Sequence, residues 1–172
     1  MPKAASRSHC RPAGKGVSLL RDAEPAGLAV RGDPEQLQQV MINLLTNALA
    51  ATSEGGRVEI LVRRQNGGSI EPDPREADAT PGESAMVVLS VCDTGCGMPE
   101  EHIGRAFEPF FTTKAIGSGT GLGLFLSRQI VASHGGSLSI DSQIGKGTTV
   151  VVMLPQCEEP EAAHVRPRKY GV

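Results

Sequence analysis

A stripe of apolar residues that begins directly behind a helix cap constrains this chain more than any other feature. Asp33 can accept from backbone N–H groups, Pro34 suits a first helical position and Gln36 a third, the arrangement of a capping box. Leu37, Val40, Met41, Leu44, Leu45 and Ala48 then recur at i, i+3, i+4 and i+7, so a helix with one buried face is expected from Asp33 to about Ala51. The segments around it follow another period. Val58, Ile60 and Val62 alternate with polar residues, and 86–92 form a more apolar run; both read as strands that pair. Further strands are expected near 138–140 and 148–154, and the short apolar pieces 17–20 and 28–30 suit a strand entering a sheet. A short helix should lie between Pro99 and Pro109, and a longer one from about Leu122 to His134, stopped by Gly135 and Gly136. This order of elements does not alternate as a doubly wound parallel sheet does. It predicts a two-layer α/β sandwich, one mixed sheet with a face buried beneath about three helices.

Composition limits what such a domain can do. The 172 residues, 39% hydrophobic with a net charge of -2, suffice for one core. No run approaches the roughly 20 apolar residues of a membrane span, and the opening MPKAASRSHCRPAGKG lacks the apolar stretch of a secretion signal, so the expected location is the cytoplasm. Basic residues are scattered, which argues against a nucleic-acid partner. Cys10, Cys92, Cys96 and Cys157 lack zinc-ribbon spacing and read as reduced thiols. The expected division is a tail without structure at 1–15, one domain at 16–156 with a mobile loop at 66–85, and a second tail at 157–172.

Four stretches carry chemistry. On the first helix Asn43 and Asn47 stand one turn apart at the edge of the apolar stripe, although asparagine costs a helix interior roughly half a kcal/mol against alanine. They serve either to hold a neighbouring loop or to ligate a hard cation such as Mg²⁺ through oxygen. Asp93-Thr94-Gly95-Cys96-Gly97-Met98-Pro99 follows a strand; it is either an aspartate-glycine turn or a carboxylate aimed at an exocyclic amine, with glycines admitting a flat ring. In FEPFFTTK, Phe107, Phe110 and Phe111 can anchor the segment, core packing being expected for at least two of them, while Lys114 stays free to reach a phosphate. Gly117, Gly119, Gly121 and Gly123 lead into a helix, whose N-terminal N–H groups and dipole favour an anion. No Lys-Ser or Lys-Thr ends that stretch and no strand directly precedes it, so neither a P-loop nor a dinucleotide fingerprint applies.

QVMINLLTNAL, DTGCGMPE, FEPFFTTK and GTGLGL, followed by GKGTT on a late strand, occur in an order that resembles the N, G1, F and G2 boxes of sensor histidine kinase catalytic domains, over about 17–155. FEPFFTTK and a short lid resemble most the nitrogen-regulation subgroup. The resemblance implies the Bergerat-type ATP-binding fold shared with DNA gyrase, heat-shock chaperone and mismatch-repair ATPases, a mixed, mostly antiparallel sheet of about five strands. It implies that ATP is bound with Mg²⁺: Asp93, Gly95, Gly97, Met98 and Thr148 at adenine, Asn47 at the metal, Asn43 beside it, and Gly119, Thr120, Gly121, Leu122, Gly123 and Leu124 at the phosphates. Thr112, Thr113 and Lys114 would belong to a lid over 112–120, with Asn43 and Lys114 at the reacting phosphate.

The same resemblance implies transfer of the γ-phosphoryl group to a histidine on a separate dimerisation domain, then to the receiver domain of a response regulator, in a homodimeric parent that is free to carry a membrane anchor. None of His9, His102, His134 and His164 is followed by an acidic residue, so no acceptor histidine of the family's kind is present. Ala50 and Ala51 stand where many relatives have a basic residue and an aromatic, which removes one phosphate contact and one stack on adenine. Two other readings stay open: a serine kinase of the same superfamily, and an ATP-gated interaction module without catalysis.

Overall fold

In the computed structural model, Asp33 starts helix α1 (Pro34–Ala51) by accepting from Glu35 N (2.9 Å) and Gln36 N (3.3 Å) through one carboxylate oxygen. The expected box closes differently. Gln36 Nε2 donates to the Asp33 carboxylate at 3.2 Å, and the Asp33 N–H donates instead to His134 Nε2 at 3.0 Å. A helix C-terminus from elsewhere in the chain thus supplies the acceptor that a capping box takes locally. The structure describes residues 8–13, 16–23, 27–65, 85–114 and 119–157; most of the expected tails and the loop segment 66–84 lie outside them.

Among the described residues seven strands form the sheet: β1 (Ser8–Ala13), β2 (Val17–Ala23), β3 (Ala29–Val30), β4 (Arg57–Gln65), β5 (Met86–Asp93), β6 (Ser137–Gln143) and β7 (Gly147–Cys157), in the order β1-β2-β4-β5-β7, with β7 also pairing β6 and, at its end, β3. Only β2 and β4 run parallel. The strand count exceeds the expected five because the apolar pieces 17–20 and 28–30 belong to two strands, β2 and β3, and because β1 is made by backbone pairing at the sheet's margin, which needs no side-chain alternation. Ser8–Ala13 pairs antiparallel with β2 where no structure was expected, and β7 runs to Cys157, one residue past the expected boundary. Helices α2 (Glu100–Arg105) and α3 (Gly123–Ser133) complete the second layer, in which α1 and α3 pack on each other. No helix among the described residues is long and apolar enough to cross a membrane.

Register explains how this frame positions polar groups. Across β4, β5, β7 and β6 the inner face reads Val62-Leu89-Val152-Leu138, then Ile60-Val91-Val150-Ile140, then Val58-Asp93-Thr148-Ser142. The first two rows are aliphatic and carry the core together with Val40, Leu44 and Ala48 of α1 and Val131 of α3. The third row turns polar at the end of the sheet. Leu44 is fully buried at the centre, so Leu44→Ala should lower unfolding free energy by about 2–5 kcal/mol, read from the urea midpoint with an unchanged slope.

Candidate functional site

Asp93 ends β5 with 9% of its surface exposed. Its Oδ1 accepts from Gly95 N at 2.8 Å and Thr148 N at 3.3 Å, while its other oxygen takes no hydrogen bond from the described residues. Burial pushes its carboxyl pKa above the ordinary value, and the two N–H donors pull it partly back. Gly95 and Gly97 are glycines for a reason internal to the chain. A Cβ on Gly95 would lie 2.5 Å from the Ala51 carbonyl oxygen, and one on Gly97, whose φ is 67°, would run into the backbone at Gln143. Cys96 N also donates to Ala51 O at 3.2 Å, so the loop is pressed between the end of α1 and the β6–β7 turn. Met98 N donates to Ser142 Oγ at 2.9 Å.

The two asparagines divide the two readings of their pattern. Asn43 accepts from Gln39 Nε2 at 3.0 Å and donates to Gly123 O and Ser127 Oγ of α3, each at 3.4 Å. It holds a neighbouring element. Asn47 Oδ1 instead accepts from Lys114 Nζ at 3.0 Å, so its oxygen already faces a cation. The backbone N–H of Lys114 donates to Thr112 Oγ1 at 3.2 Å; Thr112, Thr113 and Lys114 are all exposed. Gly119 returns beside them, since a Cβ there would lie 3.1 Å from Lys114 Cδ and 3.2 Å from Thr112 Oγ1. Of the expected lid over 112–120, residues 115–118, with Gly117, lie outside the described residues.

Gly121, at φ 67°, accepts from Phe110 N at 3.0 Å and packs so closely on Phe110 that a side chain would not fit. Thr120 Oγ1 accepts from Leu122 N at 3.4 Å. Leu122, the N-cap of α3, offers no side-chain acceptor, so the first-turn N–H groups beginning with Gly123 are left for another partner, while Leu124 packs against the core. Phe107 packs on the core under Arg128, and Phe111 lies against His102 and Arg105. Phe110 is 74% exposed, so two of the three rings pack.

Three of these segments touch α1 between Asn43 and Ala51, a rise of about 12 Å. Asn43 meets the mouth of α3, Asn47 the Lys114 side chain, and Ala51 the loop after Asp93. The residues missed in the sequence are Ser142, Gln39, Ser127 and His134 in its capping role. Ser142 was within reach, being the next inward position after Leu138 and Ile140 on β6.

Residues 32–158 match the family model described as histidine kinase-, DNA gyrase B- and HSP90-like ATPase. The chain belongs to this family. The sensor kinase CckA of Brucella abortus is 39% identical over 91% of the chain, which spans 16% of that protein's length. The catalytic domain of the histidine kinase ThkA is 28% identical with a TM-score of 0.64, over 83% of this chain and 82% of that one. Full-length ShkA in complex with AMPPNP is 25% identical with a TM-score of 0.63, over 84% of this chain and 27% of that one. An ATPase-family domain with a buried Asp93 makes a prediction of definite sign. The raised folded pKa means that stability from Asp93 is fully present below its ordinary value of 3.8 and is lost as pH rises through the raised value. Asp93→Asn keeps an acceptor for Gly95 and Thr148 without a charge, so it should flatten this fall in a melting-temperature series against pH; superimposable curves would contradict it.

Proposed function

We propose that this chain is the ATP-binding catalytic domain of a two-component sensor histidine kinase, which transfers the γ-phosphoryl group of ATP to a histidine on a separate dimerisation domain. The observation that carries this is the convergence on one face of α1 of a buried acceptor, Asp93, an oxygen facing a cation, Asn47, and an uncapped helix mouth at Gly123. Asp93 reads the adenine amine with Gly95, Gly97, Met98 and Thr148 around the base. Gly119, Thr120, Gly121, Leu122, Gly123 and Leu124 offer backbone N–H groups to phosphates. The AMPPNP in the ShkA complex and the sensor-kinase relatives support the substrate and the reaction class.

Mg²⁺ suits Asn47, because one amide oxygen open to a cation is the kind of ligand the ion takes beside phosphate and water. Bound there, it would neutralise charge on the phosphates. Lys114, released from Asn47, supplies a second positive charge at the terminal phosphate, with Thr112 and Thr113 at the lid root. Asn43 keeps the α3 mouth in register with them. In the transfer the bond from the γ-phosphorus to the β-bridging oxygen breaks, a phosphorus–nitrogen bond to the acceptor imidazole forms, and ADP leaves. The protein's contribution is positioning and charge neutralisation. In the whole protein, a homodimer, the phosphoryl group passes on to a receiver domain.

The chain mixed with labelled ATP, Mg²⁺ and the dimerisation domain of its parent kinase should place an acid-labile phosphate on that partner. Tight nucleotide binding without such a product would favour an ATP-gated interaction module. Asp93→Asn should abolish ATP binding in calorimetry, whereas Asn47→Asp should retain binding and shift its Mg²⁺ dependence. Equal ATP affinity in wild type and Asp93→Asn would refute the proposed base site.

A further inference from the structure

We infer that Ser142, a residue of no assigned role, sets the hydrogen-bond polarity of the base-reading end and so the preference for a 6-amino over a 6-oxo purine. Its hydroxyl oxygen lies 2.9 Å from Met98 N, 3.0 Å from Gly147 O and 2.9 Å from Thr148 Oγ1. A serine hydroxyl has one proton and two lone pairs. Met98 N–H can only donate and Gly147 C=O can only accept, so one lone pair takes the first and the proton goes to the second. The remaining lone pair is then available to Thr148 alone, and Thr148 must be the donor. With its proton committed to Ser142, Thr148 Oγ1 presents only lone pairs elsewhere.

Thr148 stands opposite Asp93 in the β5–β7 register and opposite Ser142 in the β6–β7 register, so the three side chains share one face of the sheet. Asp93, when ionised, is also an acceptor only. The end of the sheet therefore shows acceptors and no hydroxyl donor, which matches an amine and opposes a carbonyl at the same position. Ser142 is a positioning residue acting through Thr148, and it also ties the loop at Met98 to the β6–β7 turn. Removing its hydroxyl frees the Thr148 proton to face the base.

This inference rests on the nucleotide reading of the site. The test is calorimetric titration of the full chain with ATP and with inosine triphosphate, which carries the 6-oxo group on the same phosphates. Wild type should prefer ATP, and Ser142→Ala should narrow the ATP-to-inosine-triphosphate ratio of affinities by about three- to tenfold, the scale of one neutral hydrogen bond. Ser142→Thr, which retains the hydroxyl, should restore it. Ser142→Cys, of similar volume and weak hydrogen bonding, should narrow the ratio in the same direction should the alanine variant not fold. A Ser142→Ala or Ser142→Cys protein that loses affinity for both nucleotides equally, or keeps the wild-type ratio, overturns the role of Ser142 and leaves the nucleotide site standing. Wild type that binds neither nucleotide overturns both.

Discussion

A carboxylate at the end of aliphatic rows is costly unless donors meet it, and one end of this domain is built around that requirement. Asp93 sits in the row that follows Ile60-Val91-Val150-Ile140 on the inner face, and its burial is compensated by N–H groups from its own loop and from the neighbouring strand β7. Gly95 can turn its N–H back because it lacks a Cβ, which would strike the end of α1. Gly147 brings β7 against the Asp93 carbonyl at φ 108°, so Thr148 N arrives within reach. The glycines of this loop thus serve the carboxylate first. Both donors meet the same oxygen, and the other remains for a ligand.

One turn back along α1 the contact is of a different kind. Lys114 and Asn47 meet at an exposed site, where an ammonium–amide bond contributes little net stability. Under the proposed function such a weak contact would give way to a metal ion and a phosphate, whereas the Asp93 loop is held by several buried or partly buried bonds. Phe110 shows a comparable local cost, a non-glycine residue at φ 67° whose N–H closes onto Gly121. The closure brings the two ends of the lid segment together at the mouth of α3.

What was legible in the sequence follows from how each feature encodes itself. The α1 stripe, the alternation in β4 and the glycines before α3 each repeat a signal, and Asn43, Asn47, Asp93 and Lys114 stand at fixed offsets from those elements. The structure brings them along one helix face. The two asparagines could not be told apart in sequence, because their difference lies in what packs against them: Ser127 and Gly123 for one, Lys114 for the other. Strand β1 left no pattern, since marginal pairing uses backbone groups that every residue has, whereas the short apolar piece 28–30 did mark β3. In sequence His134 reads only as the last residue before the glycines that stop the helix, yet its Nε2 accepts from Asp33 N across 101 positions of chain. Long-range partners of that kind carry no local spacing.

The last turns of α1 therefore border two unlike places, a rigid polar row that ends in Asp93 and an exposed contact at Lys114. The core that supports the Asp93 row is made largely of valine: Val17, Val40, Val58, Val91, Val131 and Val152 are all nearly inaccessible. β-Branched side chains have few rotamers, so a sheet face filled with them transmits little slack to the polar row beside it. Donors and acceptors fixed to a few tenths of an ångström can discriminate one purine edge from another, because a mismatch leaves a buried group unpaired and the rigid rows cannot shift to relieve it. Under the proposed function the Lys114 side has the reverse need. Its ligands would be gained and released with each turnover, and exposed side chains on a short return to α3 suit that need without disturbing the rows beneath α1.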